Sequence, residues 1–167
     1  MVDKRINVYT DGSYNNNTPD VAYGAYYIEE LGKQECFKVS VQEAKESRNI
    51  TGEILGAIMG TNEVVVYANE HSDENVKLYL LYDYEGVGKW LTGEWKAKKA
   101  LTRTYVKSMK EILTGVKNIE FHLVWVKGHG NIDGNCKADG LARNAINDSK
   151  CIDMTQIFEE LIAIERR

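Results

Sequence analysis

The chain has 167 residues, 43% of them hydrophobic and 28% charged, with a formal net charge of −4. That length supports one domain, residues 1–167, with a real core, and the composition is that of an ordinary globular protein, excluding fibrous and disordered classes. No apolar stretch is long enough to span a bilayer, and the negative balance argues against dependence on strong nonspecific attraction to nucleic acid.

The N-terminus, Met-Val-Asp-Lys-Arg, runs straight into a strand-like segment without a signal-peptide pattern. The cysteines Cys36, Cys136 and Cys151 are odd in number and lack metal-site spacing. Reduced thiols in a cytoplasmic protein are therefore expected, with Cys136 read as a small packing residue.

Apolar stretches predict strands at about 4–10, 22–30 and 34–42. The first closes at Asp11 and enters a turn at Gly12-Ser13; the second and third are joined through Leu31-Gly32-Lys33 as a hairpin. A helix is expected from Thr51 to about Asn69, with Gly56 and Gly60 marking close packing, because a helical glycine costs about 1 kcal/mol relative to alanine. The run Val76–Tyr82 is almost wholly apolar and predicts a central strand buried on both faces. A short helix over about 85–91 follows, then a basic segment with Lys89, Lys96, Lys98, Lys99, Arg103, Lys107 and Lys110 against Glu94 alone. A helix is expected over about 102–113 and a last strand over 119–126, where Phe121, Leu123 and Trp125 alternate with Glu120, His122 and Val124. The loop Lys127-Gly128-His129-Gly130-Asn131 leads to helices over about 134–146 and 155–165. Hairpins followed by crossover helices imply an α/β fold: a mixed five-stranded sheet, three antiparallel strands and then parallel ones, with helices on both faces.

Four acids, Asp11, Glu53, Asp83 and Asp139, fall near the ends of four different elements. If the fold gathers them they need cations, since two carboxylates ~4 Å apart repel by about 4 kcal/mol at an effective dielectric near 20. Carboxylate oxygens suit Mg²⁺ or Mn²⁺, and a pair of such ions suits phosphodiester cleavage.

The flanking residues carry a resemblance. Tyr9-Thr10-Asp11-Gly12-Ser13, Tyr23-Gly24-Ala25, Thr51-Gly52-Glu53-Ile54-Leu55-Gly56-Ala57, Leu81-Tyr82-Asp83, Trp125-Val126-Lys127-Gly128-His129 and Asp139-Gly140-Leu141-Ala142-Arg143 occur in the order found in type 1 ribonuclease H. The chain resembles that family from Ile6 to about Ile146. The resemblance implies a ribonuclease H-like fold and an endoribonuclease that cuts the RNA strand of RNA·DNA hybrids with two Mg²⁺ ions, leaving 5′-phosphate and 3′-hydroxyl ends. It implies that Asp11 bridges both ions, that Glu53 and Asp83 complete the ligands on the leaving-group side, and that Asp139 serves the ion on the water side. His129, between two glycines, resembles the loop histidine of proton transfer or product release.

By the same resemblance, substrate contacts fall at Gly12, Ser13 and Asn17 near the first aspartate and at Arg48, Asn49 and Thr51 ahead of the glutamate, with Arg48 holding a DNA phosphate through its planar fork. The loop Asn15–Asp20 departs from the glycine-rich pattern, Tyr84-Glu85 stands where many members have Ser-Gln, and the basic handle is shortened to Trp90–Arg103, so modest hybrid affinity is expected. A monomer that does not engage membranes is expected. The competing readings are another nuclease on this fold, resolvase- or transposase-like, or a hybrid-binding domain of a larger polymerase.

Overall fold

The computed structural model describes residues 1–127 and 132–167. Strands β1 (Val2–Tyr14), β2 (Val21–Ile28) and β3 (Lys33–Ser40) come first, followed by α1 (Ala44–Ser47), α2 (Asn49–Glu70) and β4 (Glu74–Tyr82). Then come α3 (Gly86–Thr92), α4 (Ala100–Leu113), β5 (Ile119–Trp125), α5 (Asp133–Asn144), β6 (Ile152–Asp153) and α6 (Thr155–Glu165). The sheet order is β5-β4-β1-β2-β3-β6. Pairing is antiparallel between β1 and β2 and between β2 and β3, and parallel between β1 and β4, β4 and β5, and β3 and β6. The fold is the expected mixed α/β sheet, but with six strands: Ile152 and Asp153 add a two-residue strand beside Phe37 and Lys38, too short to show in an apolar pattern.

Two further expectations are corrected. Strand β1 does not stop at Thr10. Asp11, Gly12 and Ser13 stay in the ladder opposite Ala25, Gly24 and Tyr23, and the reversal falls beyond Tyr14. Polar residues read as a turn are held extended by the β2 partner. Strand β4 is not buried on both faces along its length. Val76, Leu78 and Leu80 are fully buried, whereas Lys77 and Tyr79, pointing the other way, are half-buried. There Tyr79 stacks on His122 at 4.6 Å and carries the Arg5 guanidinium 3.9 Å above its ring.

The main core lies between the sheet and helices α2, α4 and α6, where Ile6, Val8, Ile28, Phe37, Ile54, Leu78, Tyr105 and Phe158 are closed off from water. A smaller cluster on the opposite face joins Tyr23, Ala25 and Cys36 to Ala142 and Ala145 at the end of α5 and to Cys151. Helices therefore cover both faces. Cys136, expected to pack, is exposed on α5, while Cys36 and Cys151 are the buried thiols. Helix α6 is clasped by Arg166, which donates to both carboxylate oxygens of Glu43 at 2.7 and 2.8 Å and also to Glu159. This two-pronged bond holds the Glu43 carboxyl below its ordinary range. Among the described residues, no helix is long and apolar enough to cross a membrane.

Helix α2 packs closely against the β1–β2 hairpin. A Cβ on Gly52 would stand 1.8 Å from the Tyr23 carbonyl oxygen, and one on Gly12 would stand 2.4 Å from the Asn49 carbonyl oxygen and 2.5 Å from the Glu53 nitrogen. Gly56 and Gly60 continue the seam against Ala25 and Val8, as their presence in a helix suggested. Gly52→Ala is expected to lower the unfolding free energy by roughly 1–3 kcal/mol in denaturant titration, since only backbone could yield. Gly140→Ala, in the interior of α5 with nothing within 4 Å of the new Cβ, is expected to raise it by about 0.5–1 kcal/mol.

Candidate metal centre

Asp11 reaches the site from within β1, Glu53 from the second turn of α2, and Asp83 from the residue after β4. Parallel pairing of β1 with β4 sets Tyr9 beside Leu81, so the two strands deliver their acids at the same end of the sheet. The glycine seam brings α2 down onto that end. One oxygen from each of Asp11, Glu53 and Asp83 lies within 4.8 Å of the others. Asp139, from α5, makes a side-chain contact with Asp11 and is ion-paired to Arg143 one turn on. Its side chain is 38% exposed, so it stands at the open rim of the cluster.

The first two acids are deeply placed: Asp11 is 4% exposed and Glu53 1%. Burial pushes the Asp11 carboxyl up to about 7; Asp139 and the charge on Asp83 push the same way, while bonds from Glu53 and from the Gly12 N–H, 2.9 Å from Oδ1, partly offset them. Burial, then the charge of Asp11, raises Glu53 well above the ordinary carboxylate range. Two such groups titrate as a pair. Without a counter-charge the pocket resists full ionisation.

The donor set fits a divalent ion. It consists of carboxylate oxygens, the ligands of hard cations, and Glu53 Oε2 is buried without a hydrogen-bond partner. A buried acceptor left unsatisfied is a cost that a bound cation removes. Asp11, Glu53 and Asp83 would hold the ion, with Asp139 able to join from the rim.

The expected substrate residues are dispersed around this pocket. Gly12 is fixed by its approach to α2, and the Ser13 hydroxyl donates to the Ala142 carbonyl, tying β1 to α5. Asn17 lies on the exposed loop after β1, its N–H bonded to Asn15. Arg48 and Asn49 are exposed where α2 begins. Arg48 has φ 53° and ψ −127°, making it the single non-glycine residue with positive φ among those described. Thr51 is fully buried, its hydroxyl without a partner, so its side chain does not offer itself to a surface ligand. His129 lies outside the described residues.

Two features escaped the sequence reading. Gly52 completes a series with Gly56 and Gly60 at every fourth residue of one helix face, a spacing that signals close backbone packing. Trp125 alternates with Phe121 and Leu123 along β5, yet it is 56% exposed and donates its indole N–H to the main-chain carbonyl of Asp83 at 2.9 Å. Trp90 and Trp95 pack edge-on with Tyr84 in an aromatic group beside Asp83, half-buried rather than laid open.

Known proteins share this arrangement of sequence and fold. The sequence model of the RNase H family matches residues 3–147. A ribonuclease H of Tolumonas auensis is 32% identical over 156 residues, covering 90% of this chain and 96% of that protein. One from Aeromonas hydrophila is 29% identical over 157 residues, covering 91% and 96%. Among solved structures, RNase H1 of the halophilic archaeon Halobacterium salinarum superposes with a TM-score of 0.63 at 21% identity, over 87% of this chain and 100% of that one. LC11-RNase H1 in complex with an RNA/DNA hybrid gives 0.61 at 20%, over 85% and 96%. With a family match across most of its length and acids gathered at one end of the matching fold, this chain belongs to the RNase H family.

Proposed function

We propose that this protein is an endoribonuclease that hydrolyses the RNA strand of RNA·DNA hybrids, using two divalent cations, Mg²⁺ by preference and Mn²⁺ as a substitute. The observation that carries the reading is the convergence of Asp11, Glu53 and Asp83 within 4.8 Å, two of them buried and held above their ordinary pKa, in a chain of the RNase H family. The ions would supply Lewis acidity at the scissile phosphate and a water of lowered pKa. Everything else is supplied by the chain.

Burial of Asp11 and Glu53 keeps bulk water off the ligand oxygens and strengthens their attraction for a cation. Asp139, restrained by Arg143, closes the pocket on the solvent side. Arg48, exposed beside the N-terminus of α2 with Asn49 next to it, offers a planar guanidinium to a phosphate of the DNA strand. The main chain at Gly12 and Ser13, directly after Asp11 in β1, is assigned contact with the 2′-hydroxyl of an RNA strand. His129 is assigned proton transfer or product release. Residues 1–167 are proposed to act as one catalytic domain.

The decisive assay uses hybrid labelled on each strand in turn, with Mg²⁺. Cutting of the RNA strand alone, leaving 5′-phosphate ends, is expected, with single-stranded RNA, duplex RNA and duplex DNA left intact. Asp83→Asn is expected to lower kcat by at least about a hundredfold. Cutting of the DNA strand or of a branched junction would contradict the proposal.

Asp11→Asn separates stability from activity. A carboxyl whose pKa is raised in the folded state stabilises it fully below its unfolded value, near 4, and loses that contribution as pH rises through the raised value, about 7 for Asp11. In chelator, the wild type is therefore expected to weaken from pH 4 to 8. Asp11→Asn should be flatter, and more stable at pH 8 by on the order of 1–3 kcal/mol, in denaturant titrations across that range. Activity should be lost. Equal pH dependence of the two proteins would show that no repulsion is stored there.

The backbone of Arg48 gives a further test. Holding a non-glycine residue at that φ and ψ costs about 1–3 kcal/mol, strain that persists where a side chain must be presented in one direction. Arg48→Gly is expected to raise the melting temperature and to weaken hybrid binding measured by fluorescence anisotropy.

A further inference from the structure

We infer that Trp125 is a positioning residue for the Asp83 ligand, holding the end of β4 through its indole N–H. The inference rests on the proposed metal site and adds to it a residue that touches neither ion nor substrate.

The parallel ladder between β4 and β5 ends where Val126 N–H donates to the Tyr82 carbonyl at 2.8 Å. Asp83 lies one residue beyond it. That last ladder bond holds the planar peptide entering Asp83. Trp125 holds the peptide leaving it, bonding the Asp83 carbonyl oxygen at 2.9 Å from the neighbouring strand. The side chain is 56% exposed, so more than half of its surface escapes the burial that normally justifies an indole. Its single polar hydrogen is directed at the backbone of a proposed metal ligand. Outer groups of this kind set the orientation of ligands they never replace.

The bond also acts at a point of electrostatic load. Asp83 faces two buried carboxyls: one oxygen from each of the three lies within 4.8 Å of the others, so like charges meet there. A chain end lacking the indole bond would relieve that repulsion more readily by swinging outward, lowering the density of oxygen ligands before a cation arrives. The indole bond opposes that movement. It preorganises the pocket, and the cost of assembling like charges is met during folding.

Two substitutions separate tether from ring. Trp125→Phe keeps an aromatic ring and removes the donor. Trp125→His restores a ring N–H at the same number of bonds from Cβ as the indole nitrogen. Mn²⁺ affinity is measured by titration calorimetry on each full-length protein, alongside kcat and KM for hybrid cleavage and the melting temperature in chelator. Trp125→Phe is expected to weaken Mn²⁺ binding about tenfold and to lower kcat by a similar factor, leaving KM within about twofold, while Trp125→His recovers most of both. Loss of packing alone would depress the melting temperature of both variants and leave His no better than Phe; that result overturns the inference, as does wild-type Mn²⁺ affinity in Trp125→Phe. A wild type that binds Mn²⁺ yet cuts no hybrid would refute the proposed function, and the calorimetric comparison would still decide the role of Trp125.

Discussion

The fold depends on a backbone-to-backbone contact without side chains in it. Gly12 and Gly24 on the hairpin and Gly52 and Gly56 on α2 let helix and sheet approach until main-chain atoms touch. Glycine in strands and helix interiors weakens the elements that contain it. Here that cost is offset by proximity: with any larger residue at these positions, α2 would ride farther from the sheet and Glu53 would move away from Asp11. The seam is thus a structural feature whose consequence is chemical.

That consequence is an electrostatic conflict built into the folded chain. Three carboxylates share a confined space, and two are held above their normal pKa by burial first, with Asp139 and Asp83 adding to the rise at Asp11 and Asp11 and Asp83 adding to it at Glu53. Other acids are treated differently. Glu43 is gripped by Arg166, and Glu165 lies between Arg103, Lys107 and Arg167. At the cluster of Asp11, Glu53 and Asp83, among the described residues, the ion pair lies at the rim, between Arg143 and Asp139. The contrast separates acids that brace the structure from acids whose grouping fits a divalent cation. Basic side chains of the shortened handle follow the bracing pattern in part: Lys89 pairs with Glu85 and Glu94, and Lys99 with Glu46. Much of the positive charge counted there in the sequence is locally matched.

Legibility in the sequence followed the strength of the local signal. Helix α2, the β2–β3 hairpin and α6 were readable because periodicity and turn chemistry agree with the tertiary context. The end of β1 was not, because Asp11, Gly12 and Ser13 are turn residues kept extended by pairing with Ala25, Gly24 and Tyr23 of the next strand. Strand β6 was not, because two residues carry no period. The four acids were legible as a set through their flanking motifs, and the fold brings them to one place. Individual surroundings were less accessible. Thr51 sits one helical turn from exposed Arg48 yet is fully buried, and Trp125 looks like a core residue by alternation yet projects into solvent at the last position of its strand. Alternation reports which way a side chain points, and whether anything covers it there depends on the reach of a neighbouring helix.

The central claim is that Asp11, Glu53, Asp83 and Asp139 form one binding site for a pair of divalent ions. A crystal structure of the protein grown or soaked in Mn²⁺, with data collected to reveal anomalous scattering, tests it directly. The account predicts two anomalous peaks, the first bounded by Asp11, Glu53 and Asp83 and the second between Asp11 and Asp139. A pocket with no anomalous density while Mn²⁺ is bound elsewhere on the same molecule would contradict it.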